Sequence, residues 1–299
     1  MIRWALGRFL RHLLLVPLVA FLVHGVVVRL PVPVDEDAKR IQTVSLQAQV
    51  ERDLGRGRAL GFLRPWAKLA RGEPLGNEQE GFDRRDLAVA LASSLRIGGL
   101  ALALALLLAF GYARVRAGAR HPLDRFTLDL VPPLIYATPP FFFALVLAVP
   151  LGSHLAGPRL PYEAAAALAT ALPAAAFFGQ ILHRSLAGEL ARPYVRTALA
   201  KGLAWNTVVW RHAMPNASLI LLDGAVPKVT LLLTGSFIAE RVFNVQGFGF
   251  LYVHAALERQ AALVVVGTTV FATLLVLVAL GAELLRAALD PEFRRRITP

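Results

Sequence analysis

The chain has 299 residues, of which 56% are hydrophobic, and its mean hydropathy is +0.56. These values are too high for an ordinary soluble domain of this size and predict a membrane protein. The absence of cysteine excludes disulfides and thiolate metal sites. The formal net charge of +12 is not arranged on aromatic-interleaved platforms, so basic cytoplasmic loops explain it better than nucleic-acid binding does.

Six apolar segments reach the length of about 20 residues that a membrane-spanning helix needs. The first follows a basic start, so a cleaved signal peptide is an alternative. We favour a retained span, because the apolar stretch is long for a signal sequence and no clear small-residue cleavage site follows it. The predicted spans are 12–30, 87–112, 128–151, 162–182, 217–237 and 263–284.

Residues 31–86 carry nearly balanced charges, and long loops translocate with little regard to charge. We therefore place this loop outside the cytoplasm, as a small helical elaboration. Amphipathic spacing predicts short helices in 38–50 and 60–69. A turn is predicted at 72–76, where Gly and Pro punctuate the sequence.

The short connections are basic and fix the expected orientation. Residues 113–127 and 183–212 carry four and five Lys or Arg, respectively, against one acidic residue each, and the tail 285–299 is also Arg-rich. With six spans, these three segments lie on the same side of the membrane as the amino terminus. The positive-inside rule then places both termini in the cytoplasm.

The segment 189–217 is polar, basic and lies between two apolar spans. Helical spacing puts five side chains on one face of a first short helix, and Gly202 permits a sharp bend before a second. Such a hairpin fits helix-in-groove recognition by a partner, and the alternative is an interfacial hairpin with no partner. The first helix carries Leu190, Tyr194, Val195, Ala198 and Leu199 on that face, and the second carries Trp205, Val208, Val209 and His212.

Asp223 and Lys228 are ionisable groups within the fifth span. Charges at membrane depth are costly and face a cavity or a partner. We expect at least one of them to face a translocation pathway, and a structural ion pair with another span or subunit is the alternative. Pro227 can kink this helix. Gly235 and Ser236, at its end, allow close helix approach.

Catalytic signatures are missing from the sequence. The seven His residues include no pair at the spacing of a zinc-binding helix, and no phosphate-binding Gly-rich loop ending in Lys-Ser or Lys-Thr is present. His183 and Ser185 are two residues apart, so a helix places them on different faces. We therefore expect no metal, no cofactor, no ATP hydrolysis by this chain and no intramembrane protease activity.

Several motifs, in their order along the chain, resemble permeases of ABC importers of the dipeptide, oligopeptide and nickel type. Arg196-Thr197-Ala198 followed by Gly202 and Met214-Pro215 resembles the EAA loop of these permeases. The resemblance extends over nearly the whole chain and is closest to the B-type subunit. Further matching pieces are Thr138-Pro139-Pro140-Phe141-Phe142, Leu233-Thr234-Gly235-Ser236, Glu240-Arg241-Val242-Phe243, Gly247-Phe248-Gly249 and Asp290-Pro291 with Arg294.

The resemblance implies an all-α, six-span permease of the type I importer fold with a cytoplasmic coupling hairpin. Residues 1–30 would hold the start and first span, 31–86 the outer loop, 87–284 the permease core with the coupling loop 183–215, and 285–299 the tail. The chain would form half of a pore in the bacterial inner membrane. Its partners would be a second permease, two ATPase subunits, an extracytoplasmic solute-binding protein and the lipid bilayer.

The resemblance also implies roles for particular residues. ATPase coupling would fall to Tyr194, Arg196, Thr197, Ala198, Ala200, Lys201, Gly202 and Pro215. The translocation pathway would include Asp223, Lys228, Gly235 and Ser236, and an outer gate would include Glu240, Phe243, Gly247 and Gly249, for which a plain surface turn is the alternative.

The chain departs from the family pattern at one place. Where the family has Arg-Asp-Tyr-Pro before the last span, this chain has Glu258-Arg259-Gln260-Ala261, which affects the outer gate and substrate choice. The alternative function is a stand-alone secondary transporter. Such folds carry internal repeats with broken helices in matching positions, and no convincing repeat relates the two halves of this sequence.

Overall fold

The computed structural model describes residue 7 and residues 14–29, 61–77, 80–152, 160–233, 237–258, 260–290 and 293–295. Within these ranges the chain is helical apart from one small β-hairpin and the connecting turns. The helices are α1 (Leu15–Arg29), α2 (Arg64–Ala70), α3 (Arg84–Gly118), α4 (Pro122–Ala137), α5 (Pro140–Gly152), α6 (Leu160–Leu190), α7 (Pro193–Ala200), α8 (Trp205–Thr207), α9 (Met214–Ser218), α10 (Ile220–Gly224), α11 (Val226–Leu233), α12 (Phe237–Val242), α13 (Phe248–Leu257) and α14 (Ala261–Leu289).

Among the described residues, three helices are long and apolar enough to cross a membrane by themselves. They are Arg84–Gly118, Tyr162–Leu190 and Ala261–Leu289, and they match the predicted second, fourth and sixth spans. The described part of the predicted first span is the 15-residue apolar helix α1, which packs against α14. The other two predicted spans are bent pairs of helices, giving up to five spans if each pair is one span.

The predicted third span, 128–151, is not one straight helix. Helices α4 and α5 meet at an angle of 91° around Thr138 and Pro139. Proline lacks an N–H and disfavours helical geometry in the residue before it, so two consecutive prolines at 139 and 140 end the first helix and start a second. The predicted fifth span bends by 70° before Val226, next to the Pro227 that suggested a kink.

Small residues allow the two central helices, α3 and α6, to pack closely. Ser94, Gly98, Ala101, Ala105 and Ala109 recur every three or four residues along one buried face of α3. The facing part of α6 is rich in buried alanines. Because lipid tails are as apolar as the helices, close van der Waals packing through small residues is what holds such a pair together.

Gly98 marks the closest approach between two helices. A Cβ at this position would overlap the backbone carbonyl group of Leu232 in α11. The neighbouring Gly99 has no atom within 4 Å of its own Cβ position. The fold therefore requires a glycine at 98 for packing and makes no such demand at 99.

The end of the predicted outer loop folds as predicted in one part and differently in another. A 3₁₀ turn (Gly61–Leu63) and α2 occupy the region where a short helix was predicted, whereas the predicted helix 38–50 lies outside the described residues. The hairpin of β1 (Leu75–Asn77) and β2 (Glu80–Phe82), paired in antiparallel fashion, was not predicted. Strands of three residues are too short for period-two alternation to be recognised.

Candidate functional site

The predicted coupling segment begins where α6 ends at Leu190. Pro193 opens α7 in its first turn, a position where the missing N–H of proline costs nothing. The Tyr194 hydroxyl donates to Glu189 Oε2 at 2.7 Å, and Arg192 Nε lies 3.0 Å from Glu189 Oε1. One carboxylate at the end of a spanning helix therefore fixes both the turn and the start of the next helix.

The apolar face of α7 packs against other residues of the coupling segment itself. We call residues 205–218, which follow the bend, the returning arm. Val195 and Ala198 are buried against Val208 of this arm, with Leu190 and Tyr194 packed around them. Leu199, which was predicted on this face, is 39% exposed, and that part of the prediction is wrong. The returning arm covers only the 195/198 side of this two-turn helix, so Leu199 faces away.

The bend predicted at Gly202 is present. Gly202 has φ of +81°, in the left-handed region that glycine adopts without steric cost. Its N–H donates to Leu199 O at 2.9 Å, and the Leu203 N–H donates to Ala198 O at 3.3 Å. These two bonds form a Schellman motif, which satisfies the last carbonyl groups of α7 and reverses the chain.

The two arms together form what we call the hairpin tip, the exposed surface around the bend at Gly202. It combines apolar side chains that are more than a third exposed with two cations, a combination suited to contact with another protein. Its members are Arg196, Thr197, Leu199, Ala200, Lys201, Gly202, Leu203 and Trp205.

The returning arm does not stop as a separate short helix. After α8, residues Val208–Ala213 form a π-helix that continues into α9, and the Met214 N–H donates to Val209 O. The wider π-helical turn precedes Pro215, whose ring and missing N–H are incompatible with a regular helix interior. The sequence predicted a second helix but gave no sign of the π-helical register.

The returning arm is anchored to both central helices. Val209, Ala213 and Met214 pack with Ala113 of α3 and with Leu182 and Leu186 of α6. Arg114 Nε also donates to Asn206 Oδ1 at 2.9 Å, which links the end of α3 to α8. The hairpin therefore lies at the end of the bundle where the basic connection 113–127 also lies.

That same end is held by an ion pair between adjacent helices. Arg116 of α3 contacts both carboxylate oxygens of Asp129 in α4, at 2.6 and 2.7 Å. Two parallel N–H···O bonds from one guanidinium fix direction as well as distance. The turn between α3 and α4 is thereby set beside the hairpin.

The predicted pathway residues are only partly placed. Lys228 is half-buried in α11, with Nζ 5.6 Å from the centroid of the Tyr136 ring of α4. This cation–π contact places Lys228 against α4. Gly235, Ser236 and the side chain of Asp223 lie outside the described residues, so their roles stay predictions.

The four residues of the predicted outer gate lie close together and are buried rather than exposed on a surface turn, and their gating role stays a prediction. Glu240 is fully buried, and Phe243 belongs to the main apolar cluster. A Cβ at Gly247 would overlap the Glu240 carboxylate, and a Cβ at Gly249 would lie 2.6 Å from Phe237 Cδ1.

Ser94, which sequence reasoning missed, completes this group. Its Oγ donates to Glu240 Oε1 at 2.7 Å across 146 residues of chain. We call Ser94, Glu240, Gly247 and Gly249 the buried junction. A hydroxyl in an apolar helix was the available signal, but it was equally compatible with a bond to its own helix.

Residues 119–295 match the family model described as binding-protein-dependent transport system inner membrane component. The match covers more than half of the chain. The chain belongs to this family. It is an inner-membrane, multi-pass permease subunit of an ABC importer, with the permease fold of the family.

Curated relatives agree with this assignment. The chain is 29% identical over 216 residues to the oligopeptide transport system permease protein OppB of Haemophilus influenzae, covering 70% of this chain and 71% of the relative. It is 30% identical over 152 residues to OppB of Escherichia coli K12, covering 50% of that protein. It is 32% identical over 120 residues to the dipeptide transport system permease protein DppB of Bacillus subtilis, covering 40% of this chain and 39% of that protein. For the latter two relatives the chain thus spans half of the length or less.

Proposed function

We propose that this permease imports peptides or related small solutes and forms half of a pore with a second permease subunit. Two ABC ATPase subunits would hydrolyse ATP, and an extracytoplasmic solute-binding protein would deliver the cargo. The named cargo of the relatives supports the substrate class. The excess of Arg in the connections at the hairpin end supports a cytoplasmic hairpin and cytoplasmic termini.

The observation that carries the coupling role is the division of the hairpin into two surfaces. Its inner face, with Val195, Ala198 and Val208, is used to hold the two arms together. Its tip exposes Leu199, Leu203 and Trp205 beside Arg196 and Lys201. An ATPase surface with an apolar groove and acidic rim would complement this tip.

This division refines the role of the predicted coupling residues. Arg196, Thr197, Ala200 and Lys201 are exposed on the tip and would contact the ATPase. Tyr194 and Ala198 would instead maintain the hairpin, because their side chains contact Glu189 and Val208. Gly202 would set the bend, and Pro215 would lie at the base, beyond the π-helix.

The anchoring of the hairpin supports transmission of force to the pore. Helix α7 is tied to α6 through Glu189, and the returning arm is tied to α3 through Asn206 and the packing around Val209. A displacement of the tip would therefore reach two packed central helices together. ATP binding would draw two such hairpins together and open the pore outward, and hydrolysis would reset it.

The experiment compares two tryptophans of the returning arm. Trp205 on the tip and Trp210 beyond it are each 40% exposed, which makes them a matched pair. The tagged complex is purified in mild detergent with Trp205→Ala or Trp210→Ala, and the co-purifying ATPase is quantified by mass spectrometry. We expect loss of the ATPase from the Trp205→Ala complex and its retention in the Trp210→Ala complex.

Two outcomes would count against the proposal. Equal ATPase recovery in both variants would remove the tip as the docking surface. Recovery of the wild-type chain alone, under conditions that preserve known ABC complexes, would favour a stand-alone transporter. The cargo is tested separately, by uptake of a radiolabelled alanine tripeptide in cells that lack or carry the permease gene.

A further inference from the structure

Helix α13 is too short to cross a membrane and begins inside the protein. Its ten residues extend about 15 Å, half of the roughly 30 Å hydrocarbon thickness. Residues 247–249 at its start are buried. The first N–H groups of a helix have no partner within it, and in a membrane interior they must be satisfied by the protein.

Side chains from two other helices provide those partners. The Phe248 N–H donates to Ser94 Oγ of α3 at 2.8 Å, and the Phe250 N–H donates to Glu240 Oε2 of α12 at 2.8 Å. Gly247, the residue that precedes the helix, has no side chain with which to cap it. The cap of α13 is therefore supplied from outside, by residues 146 positions apart that also bond to each other.

The arrangement also suits the charge of the carboxylate. The start of a helix carries a partial positive charge, so a carboxylate is favoured there. The Ser94 hydroxyl and the Phe250 N–H both donate to Glu240. A carboxyl group of the chain itself thus occupies the place at which this helix terminus could hold an anion.

The glycines explain how the carboxylate approaches so closely. A Cβ at Gly249 would lie 3.0 Å from Glu240 Oε2, and one at Gly247 would overlap the same group. Both glycines have negative or extended backbone angles, so the requirement is for space and not for a left-handed conformation. The Gly-x-Gly run is therefore matched to the carboxylate that it surrounds.

We propose that Glu240 and Ser94 are positioning residues that fasten the start of α13 to α3, so that the segment Phe237–Leu257 moves with α3 during transport. This inference deepens the transport function proposed above, because the turn between α12 and α13 belongs to the predicted outer gate. Fastened through three hydrogen bonds, the segment cannot change position unless α3 moves or the junction opens.

A different role for Glu240 would be that its charge binds a cation or carries a proton. The substitution Glu240→Gln separates the two roles. Its amide oxygen can still accept from the Phe250 N–H, and its NH₂ can donate to Ser94 Oγ, which reverses that bond but keeps the geometry. Glu240→Ala removes both bonds. A positioning role thus predicts that Gln is tolerated and Ala is not.

The first readout is hydrogen exchange of the peptide that contains residues 247–251, measured on the assembled transporter in nanodiscs. We expect Glu240→Ala to speed exchange in this peptide by about tenfold or more, which corresponds to about 1.4 kcal/mol. Glu240→Gln should remain near wild type. Leu257→Ala, which changes an exposed side chain at the other end of α13, is the matched control.

The second readout is the ratio of ATP hydrolysis with and without the binding protein. We expect Glu240→Ala and Ser94→Ala to lower this ratio and Glu240→Gln to preserve it. Ser94→Ala serves if Glu240→Ala does not assemble. Unchanged hydrogen exchange together with an unchanged hydrolysis ratio in Ser94→Ala would overturn the proposal. A lowered hydrolysis ratio in Glu240→Gln, with hydrogen exchange as in wild type, would also overturn it. Because exchange needs no cargo or ATPase activity, it tests the junction even if the proposed substrate class is wrong.

Discussion

The two ends of this permease hold short helices in related ways but with different chemistry. At the hairpin, Glu189 fixes α7 by accepting from Tyr194 and pairing with the largely exposed Arg192. At the buried junction, Glu240 fixes α13 by accepting from a hydroxyl and a backbone N–H, with no exposed surface. Each is a carboxylate that joins a short helix to another helix.

The difference follows from the surroundings of each carboxylate. Glu189 is also largely buried, but the side chain of its partner Arg192 is 64% exposed, so water and a mobile guanidinium share the charge there and this contact can rearrange at small cost when a partner docks. In a buried site every acceptor must be met by a fixed donor, because an unsatisfied group is expensive. The contacts of the hairpin can therefore adjust when a partner binds, whereas the junction is suited to transmit movement without rearranging.

The largest effect is expected where α3 and α11 pack backbone against backbone. Gly98→Val would force a side chain into Leu232 of α11, and overpacking of this kind costs about 1–3 kcal/mol or more. Gly99→Val is the matched control, since its Cβ position is open. Thermal unfolding of the purified chain in detergent should show a large loss of stability for Gly98→Val and little change for Gly99→Val. Similar losses would refute the close approach of α3 and α11.

A smaller effect is expected when the carboxylate of the hairpin is removed. Glu189→Ala takes away the acceptor of the Tyr194 hydroxyl and the partner of Arg192, which should cost about 1–3 kcal/mol locally. Faster hydrogen exchange over residues 193–203 would report it. Glu189→Gln keeps an acceptor for Tyr194 and should lose only the ion pair, worth about 1 kcal/mol or less. Equal exchange in both variants would contradict the assigned hydrogen bond.

The pH dependence of the hairpin gives a third test. Partial burial, and then the bond to Glu189, raise the pKa of the Tyr194 hydroxyl above its usual value, against an opposing contribution from Asn216. The folded hairpin thus favours protonated Tyr194. Its contribution to stability is complete below the unfolded pKa and is lost as the pH rises through the higher folded pKa. The tyrosinate absorbance difference between wild type and Tyr194→Phe should titrate above the usual tyrosine range, and a titration at or below that range would contradict the assignment.

The smallest effect is expected at the exposed bond between Arg114 and Asn206. Asn206→Ala should change the unfolding free energy by less than about 1 kcal/mol, because the contact is solvated. Its effect should appear instead as weaker coupling between ATP hydrolysis and uptake, since this bond ties the returning arm to α3. Normal coupling in this variant would show that packing around Val209 is a sufficient anchor.

Much of the framework could be predicted from sequence, and the failures have physical causes. Apolar length predicted α3, α6 and α14, and Gly202 predicted the bend of the hairpin. The break at Pro139 was missed because apolar length says nothing about helix direction. The turn of Leu199 away from the apolar face was missed because spacing alone cannot show how much of a face the opposite arm covers.

The buried junction could not be predicted as a unit. Glu240, Gly247 and Gly249 were recognised together by resemblance, but their partner Ser94 lies 146 positions earlier than Glu240 in the chain. A hydrogen bond across that distance leaves no periodic pattern in one sequence. Similarly, the internal use of Ala198 became evident only once Val208 was placed against it.

The most direct test of the central claim is site-specific cross-linking from the hairpin tip. The chain contains no cysteine, so Ala200→Cys introduces a single thiol on the tip for a photoactivatable maleimide. Ala88→Cys, exposed at the other end of α3 and about 40 Å along that helix from Arg114, is the control. We predict an adduct with an ABC ATPase subunit from position 200 and none from position 88. No ATPase adduct from position 200, or equal adducts from both positions, would contradict the assignment of the tip as the coupling surface.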